Sequence, residues 1–211
     1  MTPRPIHLYL VTDRTRTRGR PLLDVVEAAL CGGVDAVQLR EKDLSARELF
    51  DLACRLRRVC GRYGARLLIN DRVDVALAAK ADGVHLPVNS LLPADARLLL
   101  GTGGLIGASA HSLAEARAAA EGGADFVLCG PVFDTPSKRA YGPPVGLEVL
   151  GRVTGALKVP VIAIGGITAD SVDAVGRQGA RGVAVIGAIL EGEDPEAAAR
   201  AIKSRLRAAL P

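Results

Sequence analysis

Two cations stand two residues apart at Arg40 and Lys42, directly after the apolar run Ala36-Val37-Gln38-Leu39. In an extended chain, residues two apart lie on the same side, so both can reach one anion. Arginine offers a planar fork and lysine a compact point charge, and both suit phosphate. Glu41 faces the other way and is expected to pair with a neighbouring cation. An ordinary solvated charge cluster would have the same composition; position at the end of an apolar strand favours anion binding. Polar groups follow other apolar runs in the same manner: Thr12-Asp13, Asn70-Asp71-Arg72, Ser109 with His111, and Thr135, Ser137 and Lys138. Asp71 among the cations is either a salt-bridge partner or a carboxylate for a Mg²⁺ that bridges to phosphate oxygens. Gly165-Gly166 and Ile186-Gly187 expose bare backbone N–H groups, which suit a second phosphate, or they only make tight turns. There is no His-x-x-x-His or His/Cys cluster, which argues against zinc, and His85 and His111 read as hydrogen-bonded structural groups. Neither a Gly-x-Ser-x-Gly elbow nor a P-loop is present.

These groups need a scaffold that brings strand ends together. Strands are expected over 6–11, 36–39, 66–69, 83–86, 105–109, 126–129, 161–164 and 182–186. Helical stretches fall between them. Pro21 opens one that Gly32-Gly33 stops, and Pro93 and Pro195 open others. Ser45 with Glu48 reads as a capping box for a helix to Tyr63 that ends at Gly64, and Ser112 with Glu115 as a second box. Short helices are read over 73–79 and 171–179, and 14–20 and 130–146 as loops. The segment Cys31-Gly32-Gly33-Val34-Asp35-Ala36-Val37 recurs as Glu121-Gly122-Gly123-Ala124-Asp125-Phe126-Val127, with looser copies at 79–84 and 178–183. Each copy reads as a helix end, a tight turn and a buried strand. Near-continuously apolar strands alternating with helices predict a single (β/α)8 TIM barrel over 1–211. An open doubly wound sheet is the alternative. In the barrel the strand-end groups share one mouth, at the C-terminal ends of the strands.

The 211 residues carry a net charge of +4 and are 49% hydrophobic but only 3% aromatic, with no Trp. The core must be aliphatic. The charge favours anionic small molecules, while the scarcity of stacking aromatics argues against nucleic acid. Four cysteines without a Cys-x-x-Cys pair read as reduced, three of them in buried patterns, in a cytoplasmic protein. No signal core or membrane-length apolar run is present. Oligomeric state is left open, a homo-oligomer included.

The set Gln38-Leu39-Arg40-Glu41-Lys42, Asn70-Asp71-Arg72, Gly83-Val84-His85-Leu86, Gly130-Pro131-Val132-Phe133 with Thr135-x-Ser137-Lys138, and Ala163-Ile164-Gly165-Gly166-Ile167 resembles the thiamine phosphate synthase family. The match runs in order over 9–205. The resemblance implies a (β/α)8 barrel that joins hydroxymethylpyrimidine diphosphate to a thiazole phosphate and releases pyrophosphate, with Mg²⁺ and no protein nucleophile. It implies that Gln38, Arg40, Lys42, Asn70 and Lys138 hold the pyrimidine diphosphate and that Asp71 ligates Mg²⁺. Ser109 and Lys138 would stabilise the leaving pyrophosphate. Thr135 and Ser137 would meet the thiazole phosphate, together with Gly165, Gly166, Ile186 and Gly187. One departure stands out. The family usually carries Gly-Gln-x-Asp after the fourth strand, whose Asp is a second Mg²⁺ ligand; here Pro87-Val88-Asn89-Ser90 places Ser90 there. That form is similar to a sister family, a thiazole tautomerase on the same barrel, but Pro131 stands where that family is expected to carry its acid/base His. A tautomerase-like isomerase and a non-catalytic phosphate-ligand binding homologue are therefore the alternatives.

Overall fold

The structure is a computed structural model and describes residues 5–135 and 143–209. All strands run parallel and close into a barrel in chain order: β1 (Leu8–Val11), β2 (Ala36–Leu39), β3 (Arg66–Asn70), β4 (Gly83–Leu86), β5 (Leu105–Ala110), β6 (Phe126–Cys129), β7 (Val161–Ile164) and β8 (Gly182–Val185), with β8 pairing back onto β1. The helices that separate and cover them are α1 (Leu22–Cys31), α2 (Ala46–Tyr63), α3 (Val73–Ala78), α4 (Pro93–Leu100), α5 (Leu113–Glu121), α6 (Gly146–Ala156), α7 (Val172–Arg177), α8 (Gly187–Leu190) and α9 (Pro195–Ala209).

Period-2 alternation sorts each strand between two cores. Val37 and Leu39 face outward into the aliphatic layer between barrel and helices, as do Leu8, Leu10, Leu67 and Ile69. Tyr9, Ala36, Leu68, Phe126, Leu128, Ile162 and Ala184 form a separate inner cluster that fills the barrel. Register joins them into layers, with Tyr9 opposite both Ala36 and Ala184. Gly107 makes room in that interior: a Cβ there would lie 2.3 Å from the Phe126 ring and 2.8 Å from His85 Nδ1. The edge-on contacts of Tyr9 with His85 and Phe126 depend on that space.

The repeat has a physical meaning. Its aspartates, Asp35, Asp82 and Asp125, precede the even strands β2, β4 and β6 and reach sideways to the start of the strand before. Asp35 accepts from the amides of His7 (2.9 Å) and Leu8 (2.8 Å). Asp82 accepts from Leu67 N–H and Asp125 from Ile106 N–H, each at 2.7 Å. Each also holds a helix cation: Lys203, Arg57 and Arg97 respectively. The copy before β8 carries Arg181 instead and offers its carbonyl to His7 Nδ1 (2.9 Å).

Most expected boundaries hold within two residues. The strand expected over 36–39 ends at Leu39, so Lys42 sits in a turn rather than in extended chain. Asn70 belongs to β3. The loop read over 14–20 contains a 3-10 turn at Arg14–Arg16, where the Asp13 carboxylate accepts from Thr15 N–H (3.1 Å). The helix expected over 171–179 divides into a 3-10 turn at Ala169–Ser171 and α7. The Ser45–Glu48 box forms, and Gly64 ends α2 at φ +63°. Ser112 caps α5, but Glu115 does not complete a box: its carboxylate takes the His111 amide at 2.6 Å. Only Cys60 and Cys129 are buried; Cys54 is half-buried and Cys31 exposed, and all four are free.

Candidate active site

At the C-terminal rim, β1 and β2 set the first cation. Thr12, fully buried, donates its amide to Gln38 O and accepts the Arg40 amide on Oγ1, both at 2.9 Å. Glu41 turns away and is 5% exposed. It accepts the Arg14 amide (3.1 Å) and its guanidinium (3.2 Å), while Arg14 also grips Asp43 through two bonds of 2.6 Å. Glu41 and Asp43 are thus occupied, and among the described residues no carboxylate pairs with Arg40 or Lys42.

Below Arg40, the barrel interior is polar but uncharged. Gln38, 2% exposed, donates to Tyr9 Oη at 3.2 Å. His85 Nε2 lies 2.8 Å from Ser109 Oγ, and its Nδ1 is buried with no hydrogen-bond partner among the described residues. Burial, helped by the nearby Arg40 charge, pulls the His85 imidazole down to about 3, so it is neutral near pH 7. Burial raises the Tyr9 phenol above its ordinary range, partly opposed by the Gln38 bond. His85 is therefore the support beneath Ser109. The reading of His85 as a hydrogen-bonded structural group holds, but its partner was not legible in sequence because the two residues stand on different strands.

Asp71 follows β3 in the left-handed region, φ +68°, with its amide bonded to His85 O (2.9 Å). The Ser90 hydroxyl donates to Asp71 Oδ1. The structure thus brings together the two residues that the resemblance pairs at a metal. Arg72 is occupied by Asp74 (2.6 Å), and among the described residues no cation lies within salt-bridge distance of Asp71. The described residues contain no group of three His, Cys, Asp or Glu side chains able to hold a metal. What they offer is one carboxylate, with one oxygen taken by Ser90. That donor set fits a Mg²⁺ that arrives with phosphate oxygens and waters in its shell, and not a dedicated protein cage.

The second set lies across the mouth. The segment after β6 runs beside the end of β7: Val132 N–H donates to Ile164 O (2.8 Å) and Phe133 N–H to Gly165 O (3.0 Å). Gly165 and Gly166 have φ of +100° and +65°. A Cβ would lie 2.4 Å from Pro131 at the first and 2.7 Å from Asp134 O at the second, so only glycine fits. Among the described residues no acceptor takes the amides of Gly165, Gly166 or Gly187. Ile186 precedes Gly187, the first residue of α8. The sequence reading missed Arg16: its Nε bonds Glu191 (2.6 Å), and its guanidinium lies over Gly187, where a Cβ would be 2.6 Å from Nη2. A Gly beside a short helix signals close approach, but not by which residue. Thr135 is half-buried on this side, and Ser137 and Lys138 lie outside the described residues.

A cleft of about 540 Å³ opens at the other pole, beside α3 and α4. Its carboxylates, Asp82 and Asp125, already hold backbone amides and arginines. At the C-terminal rim, by contrast, Arg40 and Lys42 have no carboxylate partner among the described residues.

A closed (β/α)8 barrel with unpaired cations and bare amides on that rim defines the class of phosphate-binding barrel enzymes. The family model described as thiamine monophosphate synthase matches residues 8–189, and the chain belongs to that family. A thiamine-phosphate synthase of Methanoculleus marisnigri is 47% identical over 202 residues, 96% of each chain. One from Moorella thermoacetica is 44% identical over 196 residues, 93% of each. The solved thiamine phosphate pyrophosphorylase of Pyrococcus furiosus superposes with a TM-score of 0.89 at 37% identity, covering 98% of both chains. These relatives are named as synthases or a pyrophosphorylase, and the tautomerase reading of Pro87-Val88-Asn89-Ser90 gains nothing from them. Among the described residues no helix is long and apolar enough to cross a membrane.

Proposed function

We propose that the chain joins hydroxymethylpyrimidine diphosphate to thiazole phosphate, giving thiamine phosphate and pyrophosphate. The observation that carries this reading is that, among the described residues, Arg40 and Lys42 have no carboxylate partner and the amides of Gly165, Gly166 and Gly187 no acceptor, on the same rim as Asp71. Arg40, Lys42 and Asn70, with Lys138 outside the described residues, grip the diphosphate. Ser109, held by His85, hydrogen-bonds to the leaving pyrophosphate. Thr135, Ser137 and the glycine amides, with Ile186 beside them, receive the thiazole phosphate. Asp71 would hold a Mg²⁺, whose charge would offset that of the leaving group.

The carbon–oxygen bond to pyrophosphate breaks with its electron pair, and the thiazole nitrogen lone pair then forms the new carbon–nitrogen bond. The transient pyrimidine-methyl cation would be destabilised by a positive charge beside it. Gln38 and the neutral His85 supply a polar, uncharged floor. No residue has to act as nucleophile; positioning and electrostatics supply the rate. The purified chain with both substrates and Mg²⁺ should release pyrophosphate in step with thiamine phosphate. No product, beside a working synthase control, would reject the reading.

A further inference from the structure

Arg14, Arg16 and Arg20 stand close together in the loop over 14–20, but their guanidinium groups are used differently. Arg14 closes its fork on Asp43, with Nη1 and Nη2 each 2.6 Å from a carboxylate oxygen. Arg20 gives Nη1 to Glu193 O (3.0 Å) and Nη2 to Leu190 O and Gly192 O (both 2.8 Å), carbonyls at and beyond the end of α8. Arg16 is held only from the side. Its Nε donates to Glu191 Oε1 at 2.6 Å, while neither Nη group donates to an acceptor among the described residues. The loop fixes it there. Asp13 Oδ1 takes the Thr15 amide (3.1 Å), and the buried Thr17 hydroxyl lies within hydrogen-bond distance of Arg14 O (3.1 Å) and Arg20 O (2.7 Å).

The open fork lies over Gly187. A Cβ at that glycine would be 2.6 Å from Arg16 Nη2 and 2.8 Å from Glu191 Oε2. Only the Cα separates such a Cβ from the Gly187 nitrogen, so Nη2 is within about 5 Å of that nitrogen. A tetrahedral oxyanion spans such a gap, with the amide on one oxygen and the guanidinium on another. The other residues placed at this phosphate, Thr135, Ser137, Gly165, Gly166, Ile186 and Gly187, are all uncharged. Arg16 brings a positive charge and a fork whose geometry matches phosphate. Glu191 alone would repel an anion at Gly187, and the bond to Arg16 Nε neutralises it without using the Nη groups.

We propose that Arg16 is the cation of the second phosphate site. The phosphate takes the Nη groups while Nε keeps Glu191, so the guanidinium stays where it is. This assignment rests on the thiazole phosphate reading of the rim. It adds the residue that selects a phosphorylated thiazole over the free alcohol.

Calorimetry of the purified full chain with thiazole phosphate is the test. Arg16→Ala should bind it about tenfold or more weakly. Arg16→Ala combined with Glu191→Gln should remain weaker than the unaltered chain, because removing the repulsion does not bring back the contact. In turnover, Arg16→Ala should raise KM for thiazole phosphate and leave KM for the pyrimidine diphosphate unchanged. Its kcat/KM for the unphosphorylated thiazole alcohol should not move. Equal affinity of Arg16→Ala and the unaltered chain would overturn the proposal. So would full recovery in the double variant, which would make Arg16 only a screen for Glu191, or an equal loss for alcohol and phosphate, which would make it only a support of the loop. An unaltered chain that binds no thiazole phosphate would overturn the assignment together with the reading beneath it. One that binds it with the expected dependence on Arg16, yet makes no product, would reject the synthase reading alone.

Discussion

The two poles of the barrel use the same side chains to opposite ends. At the N-terminal pole each of Asp35, Asp82 and Asp125 is closed on both sides, by strand amides and by a cation from a helix. At the C-terminal rim the carboxylates Glu41 and Asp43 are drawn off by Arg14, which leaves Arg40 and Lys42 without a carboxylate partner among the described residues. Paired charges hold a fold together, whereas unpaired ones keep their attraction for a ligand. The lesson is that Arg14, far from binding substrate, keeps the rim's own anions away from its cations.

Breaking the closed pole should cost the most. Asp35→Ala orphans two amides and leaves Lys203, whose side chain is 12% exposed, without its carboxylate. A loss of about 3 kcal/mol in urea unfolding is expected, with kcat of the folded fraction unchanged. A loss of kcat alone would erase the division between the poles. Breaking the open pole should do the reverse. Arg40→Ala should lower kcat/KM for the diphosphate substrate by about a hundredfold, roughly 2.7 kcal/mol, with no fall in the urea midpoint. Unchanged kinetics would remove Arg40 from the site.

Acid probes the barrel between the poles. Burial holds the His85 imidazole near 3 in the fold, against 6.5 when unfolded. Its stabilising contribution is thus complete above about 6.5 and is lost as pH falls toward 3. In that window the unfolded chain binds the extra proton, so stability drops by about 1.4 kcal/mol per pH unit from this group at the steepest. Urea unfolding from pH 7 to 4 should show the slope, and His85→Gln should flatten it; equal slopes would mean that other groups dominate. Ser90→Asp sharpens the rim further, because it adds the carboxylate that the family pattern carries and this chain lacks. Calorimetry should find Mg²⁺ with pyrophosphate bound about tenfold more tightly, and an unchanged affinity would show that Asp71 alone sets it. The smallest effect is expected from Glu196→Gln, which removes an exposed i,i+4 pair with Arg200 and should change stability by under about 0.5 kcal/mol.

The barrel was legible because its signals are local and repeated: alternating strands, the Ser45–Glu48 box, Gly64, and the helix–turn–Asp–strand unit. The rim residues Arg40, Asn70, Asp71, Gly165 and Gly166 were legible because they directly follow or end apolar runs. What stayed hidden depends on contacts across strands. The Arg16 position over Gly187 spans 171 positions, and the His85–Ser109 bond joins neighbouring strands. The asymmetry between Asp35 and Asp71, one closed and one open, cannot be read from residue type. It rests on whether a helix cation reaches the carboxylate.

The partner of Asp35 lies 168 positions further along, on α9. The first βα unit therefore emerges during synthesis with its electrostatic keystone missing, and acquires it only when nearly the whole chain is available. Ring closure and neutralisation of that early carboxylate become one late, long-range event, which ties cooperative assembly of the cylinder to its last helix.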